Sequence, residues 1–314
     1  MTVTSRPPSQ TPVLAVVGPT ATGKSDLAVA LAQRLNGEII NADSMQLYVG
    51  MDIGTAKLPL SERGGIPHHL LDIWPLDKSA AVAEYQALAR AAIVEISDRG
   101  RLPILVGGSG LYLRGALDHL DFPGESPQIR ARLTAELAER GASALHGRLA
   151  GLDAAAAAAI LPSNGRRIVR ALEVIELTGG PFTARMPAFE SVYRTVQLGL
   201  DRVDLDDRVA LRVERMMSQG LLAEVQALLD RGLRGSPTAA KALGYQQLLA
   251  VLDEQGQLCG DLNEAVEQTV RGTRRFVRRQ RSWFRRDQRI VWLDAAAPDL
   301  LDQALRACSP TLER

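Results

Sequence analysis

Val13-Leu-Ala-Val-Val17, followed by Gly18-Pro-Thr-Ala-Thr-Gly-Lys-Ser25, is the stretch from which the fold is read. The first five residues are apolar and largely β-branched, as a buried strand requires, and the next eight fit G-x-x-x-x-G-K-[ST]. From Ser25 to Leu35 the leucines at 27, 31 and 35 recur at helical spacing. Strand, glycine-bounded loop and helix in that order form a phosphate cradle. In the loop Gly18, Pro19, Thr20, Ala21, Thr22 and Gly23, successive backbone N–H groups, with none from Pro19, and the helix N-terminus surround an anion, Lys24 reaches over it, and the Ser25 hydroxyl is placed to ligate Mg²⁺.

A nucleoside-triphosphate hydrolase also needs an acid at the end of a second hydrophobic strand. The best later strand, Pro103-Ile-Leu-Val106, ends instead in Gly107-Gly108-Ser109. The carboxylate at a suitable strand end is Asp43, after Glu38-Ile39-Ile40. In an open parallel sheet the carboxyl ends of the strands share one edge, which places Asp43 at the same crevice as the loop. A general base, the N-cap of a following helix and a group behind a metal ion are all open roles for it.

Outward from these motifs, 314 residues with 46% hydrophobic content suffice for one large domain with an insertion, or two. The segment Met1 to Pro12 reads as a flexible lead-in without the charged start and apolar core of a signal peptide, and no apolar run approaches ~20 residues. Cys259 and Cys308 have neither zinc nor disulfide spacing, so a reducing cytoplasm is the expected location. Candidate strands are Val13 to Val17, Glu38 to Ala42, Ile104 to Val106, Thr195 to Leu200 and Ile290 to Leu293. Between Leu120 and Arg194 only helix-like runs occur: Ile129 to Glu139, Asp153 to Leu161 capped by Asp153, and Arg166 to Leu177. The expectation is an α/β fold with a P-loop NTPase-like parallel sheet core, a helical insertion and further C-terminal helices. The domains divide as 12–119, 120–194 and 195–314.

Charge is unevenly distributed. From Arg271 to Arg289 there are nine arginines and one acid, a net +8, so the remainder of a chain of net +1 carries −7. Read as a helix, Val270, Val277 and Phe284 form an apolar stripe with Phe276 and Trp283 beside it, and the arginines fan outward. Such a face is either merely solvated or grips a polyanion; the use of Arg without Lys suits bidentate phosphate contacts.

Six segments in order resemble the signatures of bacterial tRNA dimethylallyltransferases, also called tRNA isopentenyltransferases. They are the phosphate loop, Asn41-Ala-Asp-Ser-Met-Gln-Leu-Tyr48, Gly50-Met-Asp-Ile-Gly-Thr-Ala-Lys57, Pro67-His-His-Leu-Leu-Asp72, Val106-Gly-Gly-Ser-Gly-Leu-Tyr112 and Arg278-Arg-Gln-Arg-Ser-Trp-Phe-Arg285. The resemblance implies transfer of a dimethylallyl group from dimethylallyl diphosphate to N6 of adenosine 37, with Mg²⁺, in tRNAs that read codons beginning with U. It implies Asp43 as the base and the anticodon stem-loop as partner. Lys24, Ser25 and an arginine, Arg212 ahead of Arg208, hold the diphosphate. Segments implied to contact tRNA are Asp43, Ser44, Met45 and Gln46; Ser109; Arg130; Arg166, Arg167, Ile168, Val169 and Arg170; Lys241, Gly244, Tyr245 and Gln246; and Arg278, Arg279, Gln280, Arg281, Ser282, Trp283, Phe284 and Arg285. A monomer acting away from membranes is expected. His68, His69 and Asp72, adjacent in an apparent loop, are read as structural or substrate-shaping. Rival readings are a P-loop kinase or NTPase, a nucleotide-ordered RNA-binding switch, and a prenyltransferase acting on free adenine nucleotide.

Overall fold

The structure, a computed structural model, describes residues 8–182 and 188–312. The lead-in expected before Pro12 lies for its first seven residues outside the described residues.

The chain divides into two compact units, residues 1–118 with 190–314, and 119–189. The first is built on six strands, β1 (Pro12–Val17), β2 (Gly37–Asn41), β3 (His68–His69), β4 (Leu102–Gly107), β5 (Arg194–Asp201) and β6 (Ile290–Asp294), in the order β3-β2-β4-β1-β5-β6. Every pairing between them is parallel. The helices of this unit are α1 (Lys24–Leu35), α2 (Val82–Asp98), α3 (Gly110–Leu117), α7 (Leu205–Ser218), α8 (Leu221–Leu229), α9 (Tyr245–Leu249), α10 (Leu262–Phe284) and α11 (Leu300–Leu312). Those numbered between, α4 (Pro127–Leu152), α5 (Ala154–Ala159) and α6 (Gly165–Thr178), make the second unit.

The period of two along β1 explains why its sequence is apolar throughout. Val13, Ala15 and Val17 enter one core with Ile40, Leu105 and residues of α2 and α3, and Leu14 and Val16 enter the other with α1 and α11. All five are 0% exposed, and each buried Val or Leu contributes roughly 1.5–3 kcal/mol. All five expected strands are present. β3 is the addition, and two residues are too few to show a period. His68 and His69 therefore lie on an edge strand paired to Ile39 and Ile40, not in a loop.

The second unit has its own core of Leu133, Leu145, Leu149, Ile160, Ile168 and Leu172. Asp153 caps α5 through the N–H of Ala156 (2.9 Å), Asn164 caps α6, and Gly179 ends α6 at φ 66°. Its first helix is longer than expected and is broken at Gly141 (φ 78°, ψ 164°). The unit spans 119–189 where 120–194 was expected, so it is its C-terminal boundary that moves inward. Tyr193 is buried in the main core, the N–H of Val192 donates to the Leu117 carbonyl (2.7 Å) and Asp118 bridges to Ser191, so residues 190–194 belong with the sheet.

Candidate active site

The loop after β1 is shaped by backbone geometry that most side chains forbid. Gly18 has φ +133°, and a Cβ there would meet the Leu200 carbonyl at 2.3 Å. Ala21 adopts φ 66° and Gly23 φ 86°. Helix α1 begins at Lys24, one residue earlier than expected, and no side chain caps it, so its first N–H groups face the loop. Thr22 Oγ1 and Lys24 Nζ both donate to the Pro19 carbonyl (3.0 and 2.5 Å). Arg208 on α7 donates to the Ala21 carbonyl (2.9 Å), and Thr20 N–H donates to Gln280 of α10 (3.0 Å). Ala21 itself packs with Leu205, Val209 and Val277.

Asp43 is carried past the end of β2 by a turn that Asn41 builds. The buried Asn41 amide accepts the Asp43 N–H (2.9 Å) and donates to the carbonyls of Asp43 and Leu70 (3.0 and 2.9 Å). One Asp43 oxygen accepts the N–H of Met45 (3.0 Å), an Asx turn rather than the N-cap of a helix. Ser109 Oγ accepts the Ser44 N–H (3.1 Å), tying the glycine-rich end of β4 to this turn.

Asp43 and Arg212 line one cavity of about 90 Å³, whose apolar wall comes from Met45, Val213, Met216 and Leu243 and whose rim includes Thr20 of the phosphate loop. Burial pushes the Lys24 ammonium down to about 7, Arg212 adds to the fall, and Asp43 opposes it. Burial and Arg208 likewise lower Arg212, against the pull of Asp43. Two cations and one carboxylate thus converge beside the cradle. The field there favours an arriving anion, because a bound phosphate offsets the repulsion between Lys24 and Arg212.

The far wall, Gly54 and Thr55, is held from a residue that the sequence reading missed. Glu224 on α8 accepts the backbone N–H groups of Asp52, Ile53 and Gly54 (3.0, 2.7 and 3.1 Å) and the Tyr245 hydroxyl (2.6 Å). Gly54 is required because a Cβ would strike the Tyr245 ring at 2.4 Å. Gln46 donates to the Thr55 carbonyl (3.1 Å), and buried Lys57 joins Asp52 to Asp72 (2.6 and 2.5 Å). No local pattern betrays Glu224, which is 170 residues from Gly54.

His68 and His69 do not converge. His68 Nδ1 bonds the Ile66 carbonyl (2.8 Å) and His69 Nε2 bonds Glu38 (2.6 Å), which Arg99 also holds. Among the described residues no group of three or more His, Cys, Asp or Glu is placed to hold a metal ion.

The expected outward fan of arginines is met by six of the nine, Arg271, Arg275, Arg278, Arg279, Arg285 and Arg286, which are exposed, but several of the nine are already engaged within the protein. Arg281 and Arg285 pair with Asp201 (2.8 and 3.1 Å), and Arg285 also stacks 4.4 Å over Trp292. Arg289 is tied to Asp118, Asp287 and Ser191, and Arg274 donates to the Asp206 carbonyl. Arg275, Arg278, Arg279 and Arg286 are exposed, Arg279 lying 5.7 Å over Phe276. Gln280, Phe284, Tyr245, Ile168 and Val169 are buried: each fills a core or is hydrogen-bonded inside. Gly244 is buried too. Trp283 is half-buried against Gly110, where a Cβ would meet its ring at 2.0 Å. Ser282, Lys241 and Gln246 are exposed. In the second unit, Arg130 and Arg170 are both paired with the buried Glu173 (2.9 Å each), while Arg166 and Arg167 are exposed.

Residues 46–287 match the family model described as IPP transferase. The chain belongs to the IPP transferase family. Its similarity to named members of the family extends over nearly its whole length. It is 63% identical over 302 residues to the tRNA dimethylallyltransferase of Streptomyces avermitilis, covering 96% of this chain and 95% of that one. The enzyme of the same name from Salinispora arenicola is 62% identical over 299 residues, 94% and 86% of the two chains. Among solved structures, the tRNA isopentenylpyrophosphate transferase of Bacillus halodurans matches at 41% identity and TM-score 0.70, covering 96% of this chain and 97% of its own. A eukaryotic dimethylallyltransferase acting on tRNA matches at 26% identity and TM-score 0.79, covering 95% and 77%. The six-stranded parallel sheet with its phosphate loop is the fold of this family.

Proposed function

We propose that the chain transfers the dimethylallyl group of dimethylallyl diphosphate to the exocyclic N6 of adenosine 37 in the anticodon loop of tRNAs. One observation carries this reading: a carboxylate, Asp43, and a cation, Arg212, face a common apolar-walled cavity at the rim of a phosphate loop. A strand-end acid of the hydrolytic kind does not follow β4, which runs into Gly108 and Ser109.

The loop N–H groups other than that of Thr20, which Gln280 holds, take the diphosphate with Lys24 and Arg212. As the allylic C–O bond breaks, its electron pair leaves with the diphosphate, where growing charge meets these fixed donors. The new bond forms between N6 and the allylic carbon, and Asp43 accepts the proton that N6 releases, so no covalent enzyme intermediate is required. The apolar wall of Met45, Val213, Met216 and Leu243 suits a short hydrocarbon.

The donor set fits Mg²⁺ in a limited way. Ser25, in the first turn of α1, would supply one hydroxyl, the sparse protein ligation usual for this ion beside a diphosphate. When bound, Mg²⁺ supplies neutralisation of the leaving diphosphate.

On the tRNA side, the target base must leave its stack to reach the cavity beside the phosphate loop. The exposed arginines Arg275, Arg278, Arg279 and Arg286 offer phosphate contacts for the surrounding strand. The test is incubation of the purified protein with an anticodon stem-loop, dimethylallyl diphosphate and Mg²⁺. A gain of one five-carbon unit on an adenosine, with ATP unchanged, is the expected result. Prenylation of free adenine nucleotide alone, or stoichiometric ATP hydrolysis, overturns it.

A further inference from the structure

Gln280 lies in the middle of the arginine-rich segment, yet it is 5% exposed. Its amide is engaged at both ends. Oε1 accepts the Thr20 N–H of the phosphate loop (3.0 Å), and Nε2 donates to the Gly108 carbonyl at the end of β4 (2.9 Å). Gly108 lacks a side chain for the same reason, since a Cβ would reach Gln280 Nε2 at 2.3 Å.

The crown of the loop needs such support. Ala21 is held at φ 66°, a region that L residues rarely adopt and that persists where the surroundings over-determine it. Those surroundings are Arg208 on its carbonyl, Leu205, Val209 and Val277 around its methyl, and Gln280 on the preceding N–H. The cradle is therefore completed by α10, the helix whose other face carries the exposed arginines.

We propose that Gln280 is a positioning residue for the allylic diphosphate: it fixes the crown of the loop, so its loss is felt in donor binding and not in tRNA binding. This rests on the reading that the loop holds the diphosphate of the prenyl donor. It also separates Gln280 from its neighbours in sequence, because Arg278 and Arg279 act at the surface and Gln280 acts inside.

The test uses the full chain with dimethylallyl diphosphate and a stem-loop titrated separately, together with steady-state kinetics and thermal melting. Gln280→Met keeps the length and removes both hydrogen bonds. Dissociation constant and KM for the diphosphate should rise about three- to tenfold, the range expected for one or two neutral hydrogen bonds. Stem-loop affinity should stay within twofold. Gln280→Glu supplies a second readout. Protonated, it can accept from Thr20 and donate to Gly108; ionised, it faces the Gly108 carbonyl with a second acceptor. Burial raises the pKa of such a carboxyl. The affinity of this variant relative to wild type should therefore be near unity at low pH and fall as pH rises, a signature that generic destabilisation does not give.

Weakened stem-loop binding with unchanged diphosphate binding would make Gln280 a direct tRNA contact and overturn the proposal. Unchanged diphosphate binding in both variants, or equal losses for both ligands with no pH dependence, also overturns it. If wild-type protein does not bind the diphosphate at all, the donor reading itself fails. That outcome is distinct from wild-type binding with indifferent variants.

Discussion

The loop between β1 and α1 makes its site from backbone groups, whereas α10 and its continuation make theirs from side chains, and the two respond differently to the rest of the fold. In the loop, Gly18 and Gly23 hold positive φ and α1 presents uncapped N–H groups; the donors lie within eight residues, and Arg208 and Gln280 only steady the backbone that carries them. In the arginine segment, acids distant in sequence decide which charges remain for a partner. Asp201 takes Arg281 and Arg285 from 80 and 84 residues away, and Asp118 takes Arg289 from 171. A backbone motif keeps its meaning once its φ values are met. A charge pattern keeps its meaning only until its counter-ions are known.

The largest expected effect comes from the loop side. Asp43→Asn removes basicity and preserves size, so single-turnover transfer should fall by about 10² or more, as for loss of a general base, with stem-loop affinity within a few-fold. Retention of most of the rate in a rapid-quench measurement would make Asp43 only the cap of the Met45 turn.

The helix side should show the opposite split. Replacing Arg275, Arg278, Arg279 and Arg286 with Gln should weaken stem-loop binding and flatten its dependence on salt by about 0.7–0.9 for each phosphate no longer neutralised. The rate at saturating stem-loop should hardly change. Replacing Arg281 and Arg285 should flatten the slope less than an equal number taken from the exposed set, because both already face Asp201. Equal slopes for the two sets, read from fluorescence titrations over a salt series, would dissolve the distinction.

A smaller effect concerns Lys24. Its pKa near 7 in the free protein must rise when an anion binds, so binding of dimethylallyl diphosphate at pH 8 should take up a fraction of one proton, and at pH 6 almost none. Calorimetry in buffers of different ionisation enthalpy measures this. For folding the sign is opposite to that of a stabilising ion pair. The folded-state pKa lies below the ordinary lysine value of 10.5, so the unfolded chain binds more protons between about 7 and 10.5. Stability from this group therefore rises with pH across that window.

The smallest expected effect is at Asp201. Burial raises its pKa, but hydrogen bonds from Arg281, Arg285 and the Arg202 N–H outweigh this and hold it below the ordinary aspartate value of 3.8. Its contribution is present above about pH 4 and lost as pH falls through the lower folded value. For such a partly exposed pair, Asp201→Asn should lower the melting temperature at pH 7 by about 1–3 °C, with the difference shrinking in acid.

Much of the fold was legible because its signals are local. The apolar run of β1 had to be buried, the loop matched a phosphate-binding pattern between a strand and a helix, and Asp153 and Gly179 mark helix ends by their own backbone chemistry. His68 and His69 were not legible as a strand, because two residues show no period and their partners belong to β2.

The sequence by itself determined the phosphate cradle, the strand-end carboxylate and the order of elements, since each follows from residue type and spacing along one short segment. Tertiary structure alone decided that Glu224 and Tyr245 hold the wall at Gly54, that Gln280 belongs to the loop rather than to the surface, and which arginines are left exposed. The physical reason is range: the local preference of the backbone is written in neighbours along the chain, while hydrogen-bond partners and counter-ions are set by neighbours in space, 80 to 260 residues away.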